Sequence, residues 1–99
     1  IKHLDSCMKK EYDLIIDQDA KIVKQNEGSI GLFETSKIST GTYSVSYNSN
    51  ETPFVQITVI GASNNIVTIS EINGEYFVYK IRNPQGMAVN SKVMVNIKF

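Results

Sequence analysis

Two hydrophobic rhythms divide the chain. Over the first quarter an isoleucine or methionine recurs every seven residues, at Ile1, Met8, Ile15 and Ile22. A straight α-helix drifts by about 20° per heptad, so a strict seven-residue repeat stays on one face only when helices supercoil. No proline or glycine interrupts residues 1–27, and Gly28 stands where the left-handed residue ending a helix is expected. The spacing therefore predicts a coiled-coil helix over 1–27. Ile1, Met8, Ile15 and Ile22 take the a positions, and Leu4, Glu11, Gln18 and Gln25 take the d positions. An isolated helix of this composition is marginal in water, so it needs partner copies. The expected oligomer interface is Ile1, Leu4, Met8, Glu11, Ile15, Gln18 and Ile22, with a parallel homotrimer preferred and a dimer open. Two other readings of the stretch stand beside it. One is a helix packed across its own β domain. The other is a hairpin, with Leu14-Ile15-Ile16 and Lys21-Ile22-Val23 as short strands joined by Asp17-Gln18-Asp19-Ala20.

From Ser29 onward the hydrophobic period becomes two. Ile30–Phe33 and Lys37-Ile38 read as an edge strand ending in Ser39-Thr40-Gly41. Tyr43, Val45 and Tyr47 then alternate with Thr42, Ser44 and Ser46. Phe54–Ile60 is the strongest strand, with Val55, Ile57 and Val59 inward. Ile66–Ile72, Glu75–Arg82 and Lys92–Phe99 follow with the same alternation. Asn73-Gly74 predicts a type I′ hairpin turn, and Asn83-Pro84-Gln85-Gly86 a type I turn. The fold class expected is thus mainly β with an N-terminal α-helix: a trimeric coiled coil (1–27), then a small antiparallel β-sandwich of about six strands (28–99).

Composition narrows the setting. With 41% hydrophobic and 20% charged residues, the 99-residue chain has the balance of a folded domain. The formal net charge is zero and no basic stripe is present, which argues against nucleic acid and anionic membranes as partners. No apolar run approaches the length of a membrane helix. The chain opens on Ile1 rather than Met, so a fragment of a longer protein is expected. One cysteine, Cys7, excludes an intrachain disulfide.

No catalytic constellation can be assembled, so the expectation is not an enzyme, with no cofactor or metal. His3, the only histidine, lacks neighbours at ligand spacing. Asp17 and Asp19 lack the glycine and distal glutamate of a calcium loop. The candidate ligand or partner contacts are Tyr47, Asn50, Asn83 and Gln85: a strand tyrosine, and amides in loops able to reach a ligand.

The strand sequences carry a resemblance. Gly41-Thr42-Tyr43-Ser44-Val45-Ser46-Tyr47, Pro53-Phe54-Val55-Gln56-Ile57-Thr58-Val59, Val67-Thr68-Ile69-Ser70 and Tyr76-Phe77-Val78-Tyr79-Lys80-Ile81 resemble the strands of phage tail-fibre and baseplate tip domains. H-type lectins share the pattern. A coiled coil leading into such a module looks like the C-terminal part of trimeric baseplate upper proteins of phages infecting Gram-positive bacteria. The resemblance implies a virion structural protein at the tail tip, partnered by other baseplate or receptor-binding proteins. Its alternative is a lectin-like tip contacting a host cell-wall saccharide.

Overall fold

Alternation, not heptad spacing, governs residues 10–25. The computed structural model describes residues 10–47, 49–61 and 64–99. In it β1 (Glu11–Ile16) turns Tyr12, Leu14 and Ile16 inward and Glu11, Asp13 and Ile15 outward. Asp17 then closes a tight turn, its carboxylate accepting the Asp19 and Lys21 amides at 2.9 Å each. Ala20 takes the left-handed conformation there, at φ 67°. The chain returns antiparallel as β2 (Ile22–Gln25).

The coiled-coil helix expected over 1–27 is therefore corrected. Residues 11–16 and 22–25 are strands, and the hairpin alternative describes them. Among the described residues the only helical turn is a 3-10 turn at Glu27–Ser29, which includes Gly28. The physical reason lies in the side chains. Ile15, Ile16, Ile22 and Val23 are β-branched, stiff at χ1 in a helix and suited to a pleated surface. Seven residues also no longer mark one face: Ile15 points outward, whereas Ile22, beyond the turn and a register shift, packs against the core. Of the expected interface, Glu11, Ile15, Gln18 and Ile22 form no common seam; Ile1, Leu4 and Met8 lie outside the described residues.

The six remaining strands are β3 (Glu34–Ser39), β4 (Thr42–Ser46), β5 (Phe54–Ile60), β6 (Ile66–Ile72), β7 (Tyr76–Arg82) and β8 (Lys92–Lys98). Five of these match the strands read from alternation. The exception is β3, since Ile30–Gly31–Leu32 is a turn with Ile30 and Leu32 exposed and only Phe33 buried.

Two antiparallel sheets result, in the orders β2-β1-β8-β5 and β3-β4-β7-β6. Their inner faces supply one core: Leu14 and Ile16 of β1, Tyr43 and Val45 of β4, Phe77, Tyr79 and Ile81 of β7, and Val93, Val95 and Ile97 of β8. On the central strands buried inward residues alternate with outward ones that reach solvent, as two packed sheets require. The order β3-β4-β7-β6 over β5-β8-β1 is that of the immunoglobulin constant-type sandwich, ABED over CFG, with β1 standing where the last strand would be. The Phe99 amide donates to the Lys10 carbonyl at 2.9 Å, so the end of β8 and the start of β1 adjoin.

Asn73-Gly74 does not form the expected type I′ turn, because neither residue has positive φ. The Asn73 side chain closes the bend instead, accepting the Glu75 and Tyr76 amides at 2.8 and 3.0 Å. Gly74 is needed for proximity: its carbonyl accepts the Ser49 amide at 2.7 Å, and a Cβ there would stand 2.8 Å from the Ser49 carbonyl oxygen.

Candidate functional site at the β4–β7 end

Strand registers bring three chain segments together at one end of the sandwich. Glu34 opens β3, Ser46 closes β4 and Tyr76 opens β7, and they are direct neighbours across the second sheet: Glu34 opposite Ser46, Ser46 opposite Tyr76. Each points outward because its inner neighbours, Thr35, Val45 and Phe77, face the other sheet. Gly31-Leu32 from the β2–β3 connection and Glu75 from the β6–β7 turn complete an open cleft, with Tyr47 at its edge.

Tyr47 anchors this end. Its amide donates to the Glu75 carbonyl at 2.9 Å and its hydroxyl to the Asn73 carbonyl at 2.5 Å. Its ring meets Phe33 and Phe99 edge-on, at centroid distances of 6.3 and 5.3 Å. Tyr12 joins the cluster against the same two rings. Such edge-on pairs add about 0.5–1.5 kcal/mol each beyond area burial. Burial pushes the Tyr47 phenol up to about 12. Tyr76 differs: its phenol hydrogen-bonds the Glu71 carboxylate at 2.5 Å, and that bond raises its pKa. The tether fixes the phenol against the Glu71 carboxylate of β6.

Chemically the cleft offers one tethered aromatic ring, a hydroxyl and the carboxylates of Glu34 and Glu75. It can stack on a flat apolar face and accept hydrogen bonds from hydroxyl groups. Among the described residues no group of three His, Cys, Asp or Glu is placed to hold a metal ion. His3 and Cys7 lie outside those residues.

The sequence-derived contacts separate in space. Tyr47 is at the cleft, and Asn50 is exposed in the loop that follows it. Asn83 and Gln85 are at the opposite end, beyond the end of β7. Asn83 is occupied structurally: its side chain accepts the Gln85 and Met87 amides at 3.0 and 2.9 Å, and its carbonyl accepts the Gly86 amide at 2.9 Å. The turn expected there is present, and it uses the amide expected to bind.

Sequence reasoning missed Glu34, Glu75 and Tyr76. The signal for them was hairpin register, which places the outward residues of three strands in one row only once β3 is set at Glu34–Ser39. A second polar cluster lies on the outer face of the first sheet. There the Asn96 amide donates to Glu11 and Asp13, at 2.8 and 2.6 Å, which holds two neighbouring carboxylates of β1 together.

No family model, curated protein or solved structure matches this chain.

Proposed function

We propose that this chain is a non-catalytic recognition module of a virion tail tip, and that its cleft takes a neutral saccharide of a host surface. The observation that carries the reading is the Glu34–Ser46–Tyr76 row beside Glu75. A tethered tyrosine ring suits the apolar face of a sugar, and flanking carboxylates accept hydrogen bonds from its hydroxyl groups. The same carboxylates repel anionic polymers, which favours neutral glycans over teichoic-type ones. The virion setting rests on the strand sequences and their resemblance to tail-fibre tips. Titrating the protein with neutral cell-wall polysaccharide, followed by NMR shifts, tests the reading. Shifts should centre on Tyr76, Ser46 and Glu34, and Tyr76→Ala or Glu34→Gln should weaken binding at least about tenfold with thermal stability retained. Saturating saccharide that moves none of these resonances would sink it.

A second reading, assembly of a virion structure, is favoured by a different observation. A large apolar side chain stands in solvent on an uncharged strand: Phe54, at the head of β5, is 76% exposed.

A further inference from the structure

Four strands form the lateral edges of the two sheets: β2 and β5 in the first, β3 and β6 in the second. An edge strand exposes a row of unpaired backbone groups, and proteins blunt it with charge, bulges or brevity. Three of the four are blunted. β2 has four residues, carries Lys24 and meets β1 at a register shift. β3 carries Lys37 and shifts register between Lys37 and Ser39. β6 carries Glu71 and shifts between Ile69 and Glu71.

β5 has none of these devices. Its seven residues, Phe-Val-Gln-Ile-Thr-Val-Ile, include no charge, and they pair with β8 without a register shift from Phe54 to Ile60. No described residue hydrogen-bonds to the backbone of its outer edge. The seam beside it is open as well. The inward residues Val55, Ile57 and Val59 of β5, with Val67 and Ile69 of β6, pack on the core but stay only half-buried, whereas Val93, Val95 and Ile97 of central β8 are 0% exposed.

The strand is also complementary to itself. Turned about a twofold axis through Ile57, it sets Phe54 against Ile60, Val55 against Val59, and Gln56 against Thr58. Residues related in this way lie on the same face of the sheet, so exposed residues meet exposed ones and core-facing residues meet core-facing ones. The nearest charges on the outer face, Lys98 beside Phe54 and Lys92 beside Ile60, would be three strand spacings from their counterparts. That separation is about 14 Å, beyond the screening length at physiological salt. Two copies of a chain with zero net charge also carry no long-range repulsion.

We infer that β5 pairs antiparallel with β5 of a second copy of this chain, joining the two four-stranded sheets into one eight-stranded sheet across a twofold axis. This rests on the assembly reading and not on the saccharide one, because the cleft lies on the other sheet. The pairing saturates the bare backbone edge and covers the open β5–β6 seam in one step, and an isologous contact of this kind closes on itself.

Sedimentation velocity across a range of concentrations, on the full chain, tests it. The expected result is a monomer–dimer equilibrium that Thr58→Lys or Gln56→Lys shifts to monomer by at least tenfold in Kd. Both side chains are exposed, so circular dichroism should show an unchanged fold. Hydrogen exchange on the wild type should protect the β5 amides that point away from β8 at high concentration and not at low. A wild type that stays monomeric, with those amides unprotected, overturns the inference and self-assembly with it. A dimer indifferent to both lysines overturns the β5 pairing alone and leaves assembly through another surface standing.

Discussion

The rings of Tyr43 and Tyr79, direct partners across β4 and β7, lie stacked 5.0 Å apart and 14° from parallel, yet only one hydroxyl is satisfied. The Tyr43 hydroxyl donates to the Gln18 carbonyl at 2.8 Å and so ties the β1–β2 turn to the second sheet. The Tyr79 hydroxyl is buried with no partner among the described residues. A buried polar group left unpaired costs about 1–3 kcal/mol, whereas a paired one contributes about 0.5–1.5 kcal/mol. Tyr79→Phe should thus be neutral or stabilise by about 1 kcal/mol, and Tyr43→Phe should destabilise by about the same amount. Urea unfolding of both variants checks this. A Tyr79→Phe protein less stable than Tyr43→Phe would refute the assignment of the orphan.

Alkaline pH should unfold the protein through its tyrosines. Burial raises Tyr47 to about 12 from the ordinary phenol value of 10.0, and it raises Tyr79 and Tyr43 as well. Between these values the native state holds protons that the unfolded chain has released. Stability is therefore complete below the ordinary phenol value and declines as pH rises through the folded one. The urea midpoint should be level to about pH 9.5 and then fall steadily. Tyr47→Phe, which cannot ionise, should lose a smaller share of its own neutral-pH stability. Tyrosinate absorbance followed in parallel should show the buried phenols ionising only with unfolding. A midpoint unchanged to pH 12 would contradict the argument.

Most of the sheet system was legible in the sequence because two-residue alternation survives in every strand buried on one face. Val93, Val95 and Ile97 show it, as do Phe77, Tyr79 and Ile81. The first quarter was legible only as a choice. Leu14-Ile15-Ile16 is a short apolar run whose periodicity fits helix and strand alike. What decides it is non-local, the pairing of Leu14 with Val95 and Ile16 with Val93 on a strand about eighty residues away. Side-chain capture in turns was equally hidden. Asn83 reads as a free amide, but its oxygen is held by two backbone N–H groups of its own loop. The cleft was illegible for a related reason, since Glu34 and Tyr76 become neighbours only through Ser46.

Two glycines with the same backbone conformation should respond very differently to alanine. Gly41 (φ 73°) and Gly86 (φ 85°) are both left-handed. A Cβ at Gly86 meets nothing within 4 Å, whereas one at Gly41 would stand 2.7 Å from the Ile81 carbonyl oxygen and 2.9 Å from the Val89 amide nitrogen. Gly41 is pressed there by its own bonds, its carbonyl accepting the Ile81 amide at 2.7 Å and its amide donating to the Asn90 side chain at 2.9 Å. Gly86→Ala should cost about 1–2 kcal/mol from conformation alone. Gly41→Ala adds a steric clash to that, for about 2–5 kcal/mol. Thermal melts of the pair separate the two causes, and equal losses would rule out the close approach.

The junction of Phe99 with Lys10 predicts that the chain can be permuted. In the immunoglobulin order the strand at the β8 position leads directly into the strand at the β1 position through a hairpin. Here that hairpin is open, but Glu11 still pairs with Lys98 and the Phe99 amide with the Lys10 carbonyl. A two-residue Asn-Gly link from Phe99 to Lys10 is of the length and type that closes antiparallel strands. New ends belong between Ile30 and Gly31, where Ile30 is exposed and Gly31 has open space around it. The buried Ser29 then stays bonded to Gln25 and Asn26 on one side of the cut, and Phe33 stays in the core on the other. This permutant should melt cooperatively within a few degrees of a linear 10–99 chain, because every strand pair is kept and loop closure changes stability only by amounts on the order of 1 kcal/mol. An unfolded permutant beside a folded linear control would mean that the β2–β3 connection, rather than sheet pairing, holds the β1–β2 hairpin in place.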